Sequence, residues 1–400
     1  MADQVREKEL LAMAGDRTEE NRKAGAAVRV FDAAGRPVAG CRVAARQTAH
    51  EFLFGSNILQ FDRLGEGRDD IYKRRFAELF NYGTTGFYWA GYEPREGKPD
   101  YESTDRIVGW AREHGVRLKG HPIFWDTQYG NPSWAGGPPS KERQRKRVFD
   151  LLRRFKGNIP IWEVVNEPAH HPVPVTIEEP YRWAREADPE SYLIINDYDV
   201  LGYILGDGYP AFLELLRLAI GEGVPFDGIG IQAHNPRTDR FELDHVWDVF
   251  DRYAALGKDL HVTEFTPASD GREITGSHVK GVWDEAAQAD YAEKFYRVSF
   301  AHPAMAAITW WDFCDKGAWR EGGGMLREDM SPKPVFEAVR RLIHEEWRTD
   351  AEGKSDKEGV FKFRGFRGEY RVEARRGEKS AEARLRVAKG EENRLTVTLG

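Results

Sequence analysis

The sequence predicts an α/β fold in which eight parallel strands, each followed by a helix, close into a barrel. Three observations support this prediction. Short apolar runs alternate with longer amphipathic runs between residues 51 and 347. Eight such apolar runs can be counted, and almost all of them end in polar or aromatic residues. This pattern is typical of a (β/α)8 TIM barrel, whose functional residues lie at the carboxyl ends of the strands.

Each apolar run has the length and composition of a buried strand. In chain order the runs are 51–57 (EFLFGSN), 83–89 (GTTGFYW), 116–125 (VRLKGHPIFW), 159–166 (IPIWEVVN), 191–197 (SYLIIND), 226–234 (FDGIGIQAH), 259–265 (DLHVTEF) and 304–311 (AMAAITWW). Amphipathic stretches between them, such as STDRIVGWAREHG, predict helices. The basic run KERQRKRVFDLLRRFKG also predicts a helix, because Val148, Leu151 and Leu152 recur at helical spacing and leave its charges on a solvated face.

Both ends of the chain show the period-two alternation of β-strands outside the barrel. We predict a helix or arm at 1–24, a β-hairpin at 25–50 around a Gly-Arg-Pro turn, the barrel at 51–347, and further strands at 348–400 after a polar linker. Neither β segment is large enough to bury a core by itself. We therefore expect the two segments to form one small accessory β-module.

Composition excludes several classes of function. The 59 basic and 66 acidic residues give a net charge of -7 without a long block of either sign, which argues against a nucleic acid or membrane partner. The two cysteines, Cys41 and Cys314, cannot form a disulfide framework, and no Cys/His cluster offers a metal site. We expect no metal and no cofactor, and we expect a monomer.

The N-terminus does not have the composition of a targeting signal. MADQVREKEL is charged where a signal peptide needs an apolar run, and no stretch approaches the ~18 apolar residues of a spanning helix. As written, the chain is expected to be cytoplasmic. A secreted or periplasmic protein whose signal peptide had been trimmed would have the same sequence, so both localisations stay open.

Two glutamates end predicted strands on opposite sides of the barrel mouth: Glu167 follows the fourth strand and Glu264 lies on the seventh. A carboxylate at the end of an apolar strand is costly to desolvate, so it is usually paired, solvated or reactive. A salt bridge or a helix cap is the alternative for either one alone. Two carboxyl groups that face one bond suit glycoside cleavage, in which one is the acid and the other attacks or stabilises the anomeric carbon.

The motifs around these glutamates resemble glycoside hydrolase family 10, the retaining endo-β-1,4-xylanases. WEVVNEP is similar to the family's W-D-V-V-N-E, GHPIFWDTQ to G-H-T-L-V-W-H-x-Q, INDYD to N-D-Y-N, GIGIQAH to G-I-G-x-Q-x-H, and HVTEF to I-T-E-L. WWDFCDKGAW followed by SPKPVFEAV is similar to W-G-x-x-D-x-x-S-W followed by P-K-P-A-x-x-A. The resemblance covers about residues 51–340.

The resemblance implies roles for individual residues. Glu167 would be the acid/base, Glu264 the nucleophile, and Asn166 a contact to the sugar 2-hydroxyl. Gln232 and His234 would orient the nucleophile. The residues implied or predicted to contact the carbohydrate substrate are His121, Trp125, Gln128, Asn166, Asn196, Gln232, His234, Trp311, Trp319, Tyr88 and Trp89. We expect Glu264 to be ionised beside His234, Glu167 to be protonated in a Trp-lined pocket, and the carboxyl groups to be about 5 to 5.5 Å apart.

Two departures from the family pattern bear on the substrate. The family ends strand two with E-N-x-x-K-W, whereas this sequence has Thr84 and Thr85 and then the aromatic run Phe87, Tyr88 and Trp89, which predicts an apolar wall. Asp126 stands where the family has the second His of W-H-x-Q, and it either turns toward Glu167 or faces solvent or a basic residue.

Three functions therefore stay open. The first is a retaining β-glycosidase acting on β-1,4-xylan-type chains. The second is an exo-acting enzyme or one specific for substituted glycosides, with weak activity on plain linear xylan. The third is a sugar-binding protein without activity.

Overall fold

The computed structural model describes residues 2–171, 177–202, 211–234 and 239–400. Three short segments of the predicted barrel, 172–176, 203–210 and 235–238, lie outside the described residues, as does Met1 of the predicted N-terminal helix. The chain folds into two compact units. One takes in the chain up to Leu11 together with Phe54–Phe300 and Ala304–Val339, and the other consists of Ala12–Leu53, Ala301–Pro303 and Arg340–Gly400.

Eight strands form a closed barrel, which confirms the predicted fold class. In chain order they are β3 (Leu53–Asn57), β4 (Tyr82–Gly86), β5 (Arg117–His121), β6 (Ile161–Asn166), β7 (Tyr192–Asp197), β8 (Gly228–Ala233), β9 (Asp259–Phe265) and β10 (Met305–Trp310). The pairs from β3 to β10 run parallel to their sequence neighbours. Every residue of β6 and β8 is buried, as expected for strands covered on both faces.

The helices of the barrel lie between these strands. They are α2 (Arg68–Leu79), α3 (Trp89–Tyr92), α4 (Tyr101–Glu113), α5 (Lys141–Arg154), α6 (Glu178–Ala187), α7 (Ala211–Gly221), α8 (Leu243–Ala254), α9 (Glu285–Ala301) and α10 (Pro334–Arg341). A 3-10 turn spans Ser133–Ala135 and a π turn spans Leu342–Glu346. The N-terminal helix α1 spans Ala2–Arg22.

Local sequence explains where two of the helices begin. The Asp100 side chain accepts a hydrogen bond from Ser103 N at 3.1 Å at the start of α4. The Ser140 hydroxyl oxygen accepts a hydrogen bond from Arg143 N at 3.4 Å at the start of α5. In α5, Val148, Leu151 and Leu152 are buried as predicted, but Arg147 is buried with them and its Nε donates to Ile123 O at 3.1 Å, so one charge of the basic run is not on the solvated face.

Strands from both chain ends form two further sheets. The strands are β1 (Lys23–Phe31), β2 (Arg42–His50), β11 (Asp350–Lys354), β12 (Val360–Phe366), β13 (Gly368–Arg376), β14 (Lys379–Val387) and β15 (Arg394–Thr398). The sheet orders are β12-β1-β15 and β11-β2-β13-β14. Side chains of both sheets share one hydrophobic core, which includes Val28 from β1, Val43 from β2 and Val372 from β13. The expected module built from both ends is therefore confirmed, and it is a small β-sandwich.

The predicted β-hairpin at 25–50 is wrong. β1 pairs with β12 and β15, whereas β2 pairs with β11 and β13, so the connection between β1 and β2 crosses from one sheet to the other. Both strands point alternate residues into the shared core, and this alternation is the same for a hairpin and for a crossing between sheets. The polar segment 348–358 also differs from a simple linker, because it contains β11.

No helix within the described ranges is both long and apolar enough to cross a membrane.

Candidate active site

The carboxyl ends of the barrel strands surround one cavity of about 600 Å³. Among the predicted site residues, those that line it are Tyr88, His121, Trp125, Asn166, Glu167, Gln232, His234, Glu264, Trp311 and Trp319. The parallel strands bring these residues together from six different strand ends and the loops after them. This is the size and position of the ligand sites found in barrels of this kind.

Glu167 lies at the end of β6 in an unusual backbone conformation. Its φ angle is 54°, in the left-handed region that residues with a side chain rarely adopt. Its amide N donates to Asn196 O at 2.8 Å. Its carboxylate accepts hydrogen bonds from Trp125 Nε1 at 2.7 Å and from Gln232 Nε2 at 2.8 Å. The turn therefore directs the carboxylate into the cavity, where two neutral donors hold it.

Glu264 lies on β9 and is held by two different partners. His234 Nε2 is 2.8 Å from its Oε2, and Asn196 Nδ2 donates to its Oε1 at 3.1 Å. The other ring nitrogen of His234 is 3.0 Å from the hydroxyl of Thr266, which fixes the orientation of the imidazole. Glu167 and Glu264 thus face the same cavity with separate sets of hydrogen-bond partners.

Burial raises the pKa of Glu264 to about 8. His121 opposes the rise, and the negative charges of Glu163 and Glu167 add to it. The shift favours the protonated form of Glu264, whereas the sequence led us to expect the ionised form. Burial and the charges of Glu163 and Glu167, which the sequence did not reveal, account for this direction.

A third carboxylate, Glu163, lies beneath the cavity and was missed by the sequence analysis. It is fully buried on β6, with Lys119 Nζ at 3.1 Å and His121 Nδ1 at 2.8 Å from its oxygens. Burial raises its pKa, but the charges of His121 and Lys119 outweigh burial and lower the pKa to about 2. Glu163 is thus ionised at neutral pH and neutralises Lys119. The sequence feature that could have revealed this ion pair is a lysine and a glutamate in two adjacent apolar strands.

Aromatic side chains form the walls and the rim of the cavity. The Tyr88 hydroxyl lies 3.1 Å from His121 Nε2, and the rings of His121 and Trp311 meet edge to face at 5.2 Å. Trp319 is 58% exposed at the rim, and its ring lies 4.6 Å from that of His234. Exposed flat rings beside polar groups are suited to stacking on sugars.

Two of the predicted substrate contacts, Trp89 and Gln128, do not line the cavity. Trp89 is 2% exposed and its Nε1 donates to Glu93 Oε2 at 2.8 Å. It packs in the core because β4 ends at Gly86 and the chain turns into α3 at this residue. Gln128 is exposed, and Tyr129 lines the cavity instead, stacked on Trp125 with ring centroids 6.0 Å apart.

Asn196, the third exception, lies behind the cavity rather than on its surface. It is fully buried, and its Nδ2 donates to Glu264 Oε1 and, at 3.0 Å, to Asn166 Oδ1. The side-chain amide of Asn196 therefore connects β9, which carries Glu264, with the end of β6, which Glu167 follows. The sequence predicted that Asn196 contacts the substrate, whereas in the structure its side chain supports Glu264 and Asn166.

The aromatic wall predicted at 87–89 is also wrong. Phe87 is fully buried and packs on Trp162 with ring centroids 4.9 Å apart, so Tyr88 alone of the three reaches the cavity. Asp126 forms no ion pair with a basic residue in the part of the chain that the structure describes. Its Oδ1 accepts from Asn131 Nδ2 at 2.7 Å, and Asp126 does not line the cavity.

Further lining residues were not predicted as substrate contacts. They are Asn57, Leu59, Gln60, Gly91, Tyr129, His171, Tyr198, Asp199, Asp312 and Gly317. Tyr198 and Asp199 lie within the motif INDYD, and Asp312 and Gly317 within WWDFCDKGAW, so these motifs were a signal for four of the residues. For the others, position at or after a strand end was the main signal.

Two groups of side chains among the described residues have ligand atoms close enough together to hold a metal ion. One consists of His121, Glu163 and Glu264 inside the barrel, and the other of Glu7, Glu242 and His278. In the first group the ammonium of Lys119 already neutralises Glu163 at 3.1 Å, which disfavours a cation.

The family model of glycosyl hydrolase family 10 matches residues 46–342. The chain belongs to this family. It is 28% identical over 372 residues to the anti-sigma-I factor RsgI6 of Acetivibrio thermocellus, covering 90% of this chain and 46% of that protein. It is 26% identical over 292 residues to endo-1,4-beta-xylanase B of Thermotoga neapolitana, covering 66% of this chain and 81% of that protein.

Solved structures of family 10 resemble the chain as well. Native xylanase 10B from Thermotoga maritima matches with a TM-score of 0.62 and 25% identity, covering 74% of this chain and 96% of that chain. The resemblance to family 10 read from the motifs is therefore confirmed. The chain spans less than half the length of some curated relatives, among them RsgI6 and endo-1,4-beta-xylanase 2 of Arabidopsis thaliana, of which it covers 46% and 32%.

Proposed function

We propose that this family 10 chain hydrolyses β-1,4-linked xylose chains with retention of the anomeric configuration. The observation that carries the proposal is the pair Glu167 and Glu264, which face one cavity from two strands and are held by different hydrogen-bond donors. Xylan as the substrate rests on the relatives, several of which are named endo-1,4-beta-xylanases.

In this proposal Glu167 is the acid/base and Glu264 is the nucleophile. The Glu264 carboxylate attacks the anomeric carbon while Glu167 gives its proton to the departing oxygen, and a covalent glycosyl-enzyme forms. Water then attacks the same carbon, with Glu167 taking a proton from it, and Glu264 is released. Attack requires the carboxylate form of Glu264. The donors His234 and Asn196 favour that state, because both stabilise the carboxylate.

The surrounding side chains are proposed to hold the sugar. Asn166, beside the acid/base, is placed to contact a hydroxyl of the reacting sugar, and Trp311 and Trp319 to stack on sugar rings. Tyr88 and His121 form a hydrogen-bonded pair beside Trp311 and offer further polar contacts.

A second candidate function, exo-acting cleavage or cleavage of short or substituted β-glycosides, is favoured by the rim of the cavity. Gln60 Nε2 donates to Gly317 O at 2.9 Å, and both residues line the cavity. They follow β3 and β10, which are neighbours in the barrel, so their loops are joined at one end of the cleft. On the adjacent strand, Thr84 and Thr85 are buried. A long chain would meet this bridge rather than an open groove.

The products of the wild-type protein test both candidates. We expect xylo-oligosaccharides to be cleaved with the β-anomer formed first, measured by proton NMR, and Glu264→Gln to be inactive as the matched control. Under the second candidate, short products accumulate from the start and Gln60→Ala increases the rate on longer chains. Binding of xylo-oligosaccharides without any release of product would support a sugar-binding protein and contradict both enzymatic candidates.

A further inference from the structure

Asp197, at the end of β7, is a fully buried carboxylate that the mechanism above does not use. Its oxygens accept hydrogen bonds from Ala169 N at 2.8 Å and from Tyr198 N at 2.8 Å. Its Oδ1 also lies 2.6 Å from Nδ1 of His170. Two of these three partners, Ala169 and His170, belong to the turn that begins at Glu167.

His170 is held from a second side. Its ring stacks on that of Tyr198 at a centroid distance of 3.8 Å and an interplanar angle of 22°. Tyr198 itself follows Asp197 and lines the cavity. The imidazole is thus fixed both at its nitrogen and at its face, whereas the neighbouring His171 faces the cavity.

The turn held in this way carries the strained residue of the site. Glu167 has a φ angle of 54°, and its carbonyl oxygen accepts hydrogen bonds from the amides of His170 and His171 at 3.1 Å and 2.6 Å. A residue with a side chain keeps such a conformation only where its surroundings determine it. Several contacts pin the turn from outside: its backbone and His170 are held by β7 and the residue that follows it, and the Glu167 carboxylate is held by Trp125 and Gln232.

We propose that Asp197 and His170 form a clamp that positions Glu167 for proton transfer. The two side chains touch no reacting atom, so they are positioning residues. With the clamp released, the turn relaxes and the Glu167 carboxyl moves away from Trp125 Nε1 and Gln232 Nε2, which now hold it. Small displacements of a proton donor reduce its contribution strongly.

The inference rests on the proposed function, and a comparison of leaving groups tests it. Cleavage of xylobiose needs the acid, whereas cleavage of a dinitrophenyl β-xyloside does not, because the leaving group departs without a proton. We expect Asp197→Asn to lower kcat/KM on xylobiose by about 10- to 100-fold and on the dinitrophenyl glycoside by less than about threefold, as for partial loss of an acid catalyst.

Asp188→Asn is the matched control. Asp188 is also a buried aspartate whose carboxylate accepts hydrogen bonds from the Glu190 amide at 3.3 Å and the Ser191 hydroxyl at 2.7 Å, but these partners lie outside the turn that begins at Glu167. Its replacement should affect both substrates equally. His170→Ala is expected to repeat the selective loss and His170→Gln, which retains an N–H donor, to recover part of it.

Equal losses on the two substrates in Asp197→Asn, or no loss, would overturn the clamp. If Asp197→Asn fails to fold, the pair His170→Ala and His170→Gln decides in the same assay. A crystal structure of the folded variant gives a readout that does not depend on activity. Glu167 is expected to leave its left-handed conformation, and an unchanged Glu167 would contradict the inference. Absence of hydrolysis by the wild-type protein would count against the proposed function instead.

Discussion

Replacing His234 by alanine should raise the pH at which the protein becomes active. His234 Nε2 lies 2.8 Å from Glu264, whose pKa burial already raises to about 8. Loss of a hydrogen bond to a charged group costs about 1.5 to 3 kcal/mol. Since one pKa unit corresponds to about 1.4 kcal/mol, the pKa of Glu264 should rise by about one to two units. Glu264 must be ionised to attack, so activity begins at a higher pH.

The assay is kcat/KM against pH on an aryl β-xyloside with a good leaving group, because this quantity reports the pKa values of the free enzyme. The acidic limb of the profile should move to higher pH by about one to two pH units in His234→Ala. His245→Ala is the control, since His245 Nε2 lies 2.8 Å from Leu201 O and the residue does not line the cavity. A limb that stays in place, or moves to lower pH, would refute the argument.

Three further predictions concern the carboxylates. Glu167→Gln should reduce kcat/KM by roughly a hundred- to ten-thousand-fold on substrates with poor leaving groups and far less on activated ones, and equal losses would contradict its role as the acid. Glu163→Gln leaves Lys119 buried without its counter-charge and should lower the free energy of unfolding in urea by about 3 to 5 kcal/mol, and a loss below about 1 kcal/mol would show that the pair contributes little. Because the folded-state pKa of Glu264 is raised to about 8, its contribution to stability is lost as the pH rises through that value. Glu264→Gln should therefore raise the melting temperature relative to the wild type more at pH 9 than at pH 4, and a constant difference would be incompatible with the raised pKa.

The features that the sequence predicts well are those with a period or a repeated position. Eight apolar runs predict eight strands, and a closed parallel barrel brings all their carboxyl ends to one face. That is why Glu167 and Glu264, 97 residues apart by subtraction of their numbers, could be placed in one site before the structure.

Residues just beyond a strand end are predicted less well, because the direction of a side chain there depends on where the strand stops. β4 ends at Gly86, three residues before the predicted end, so Trp89 begins a helix and turns into the core while Tyr88 reaches the cavity. In the same way, a shift of one residue separates Gln128, which was predicted to contact the substrate, from Tyr129, which lines the cavity. The contacts of Asp197 with the turn after Glu167 join two strands and have no local pattern.

The division of roles between Glu264 and Glu167 is the central claim, and trapping of the glycosyl-enzyme tests it most directly. A 2-deoxy-2-fluoro β-xyloside with a good leaving group slows both steps and should leave one sugar bound to the protein, detected by mass spectrometry of the intact chain and of its peptides. We predict that the labelled peptide contains Glu264 and that Glu264→Gln is not labelled. A label on the peptide that contains Glu167, or turnover with inversion and no label at all, would contradict the account.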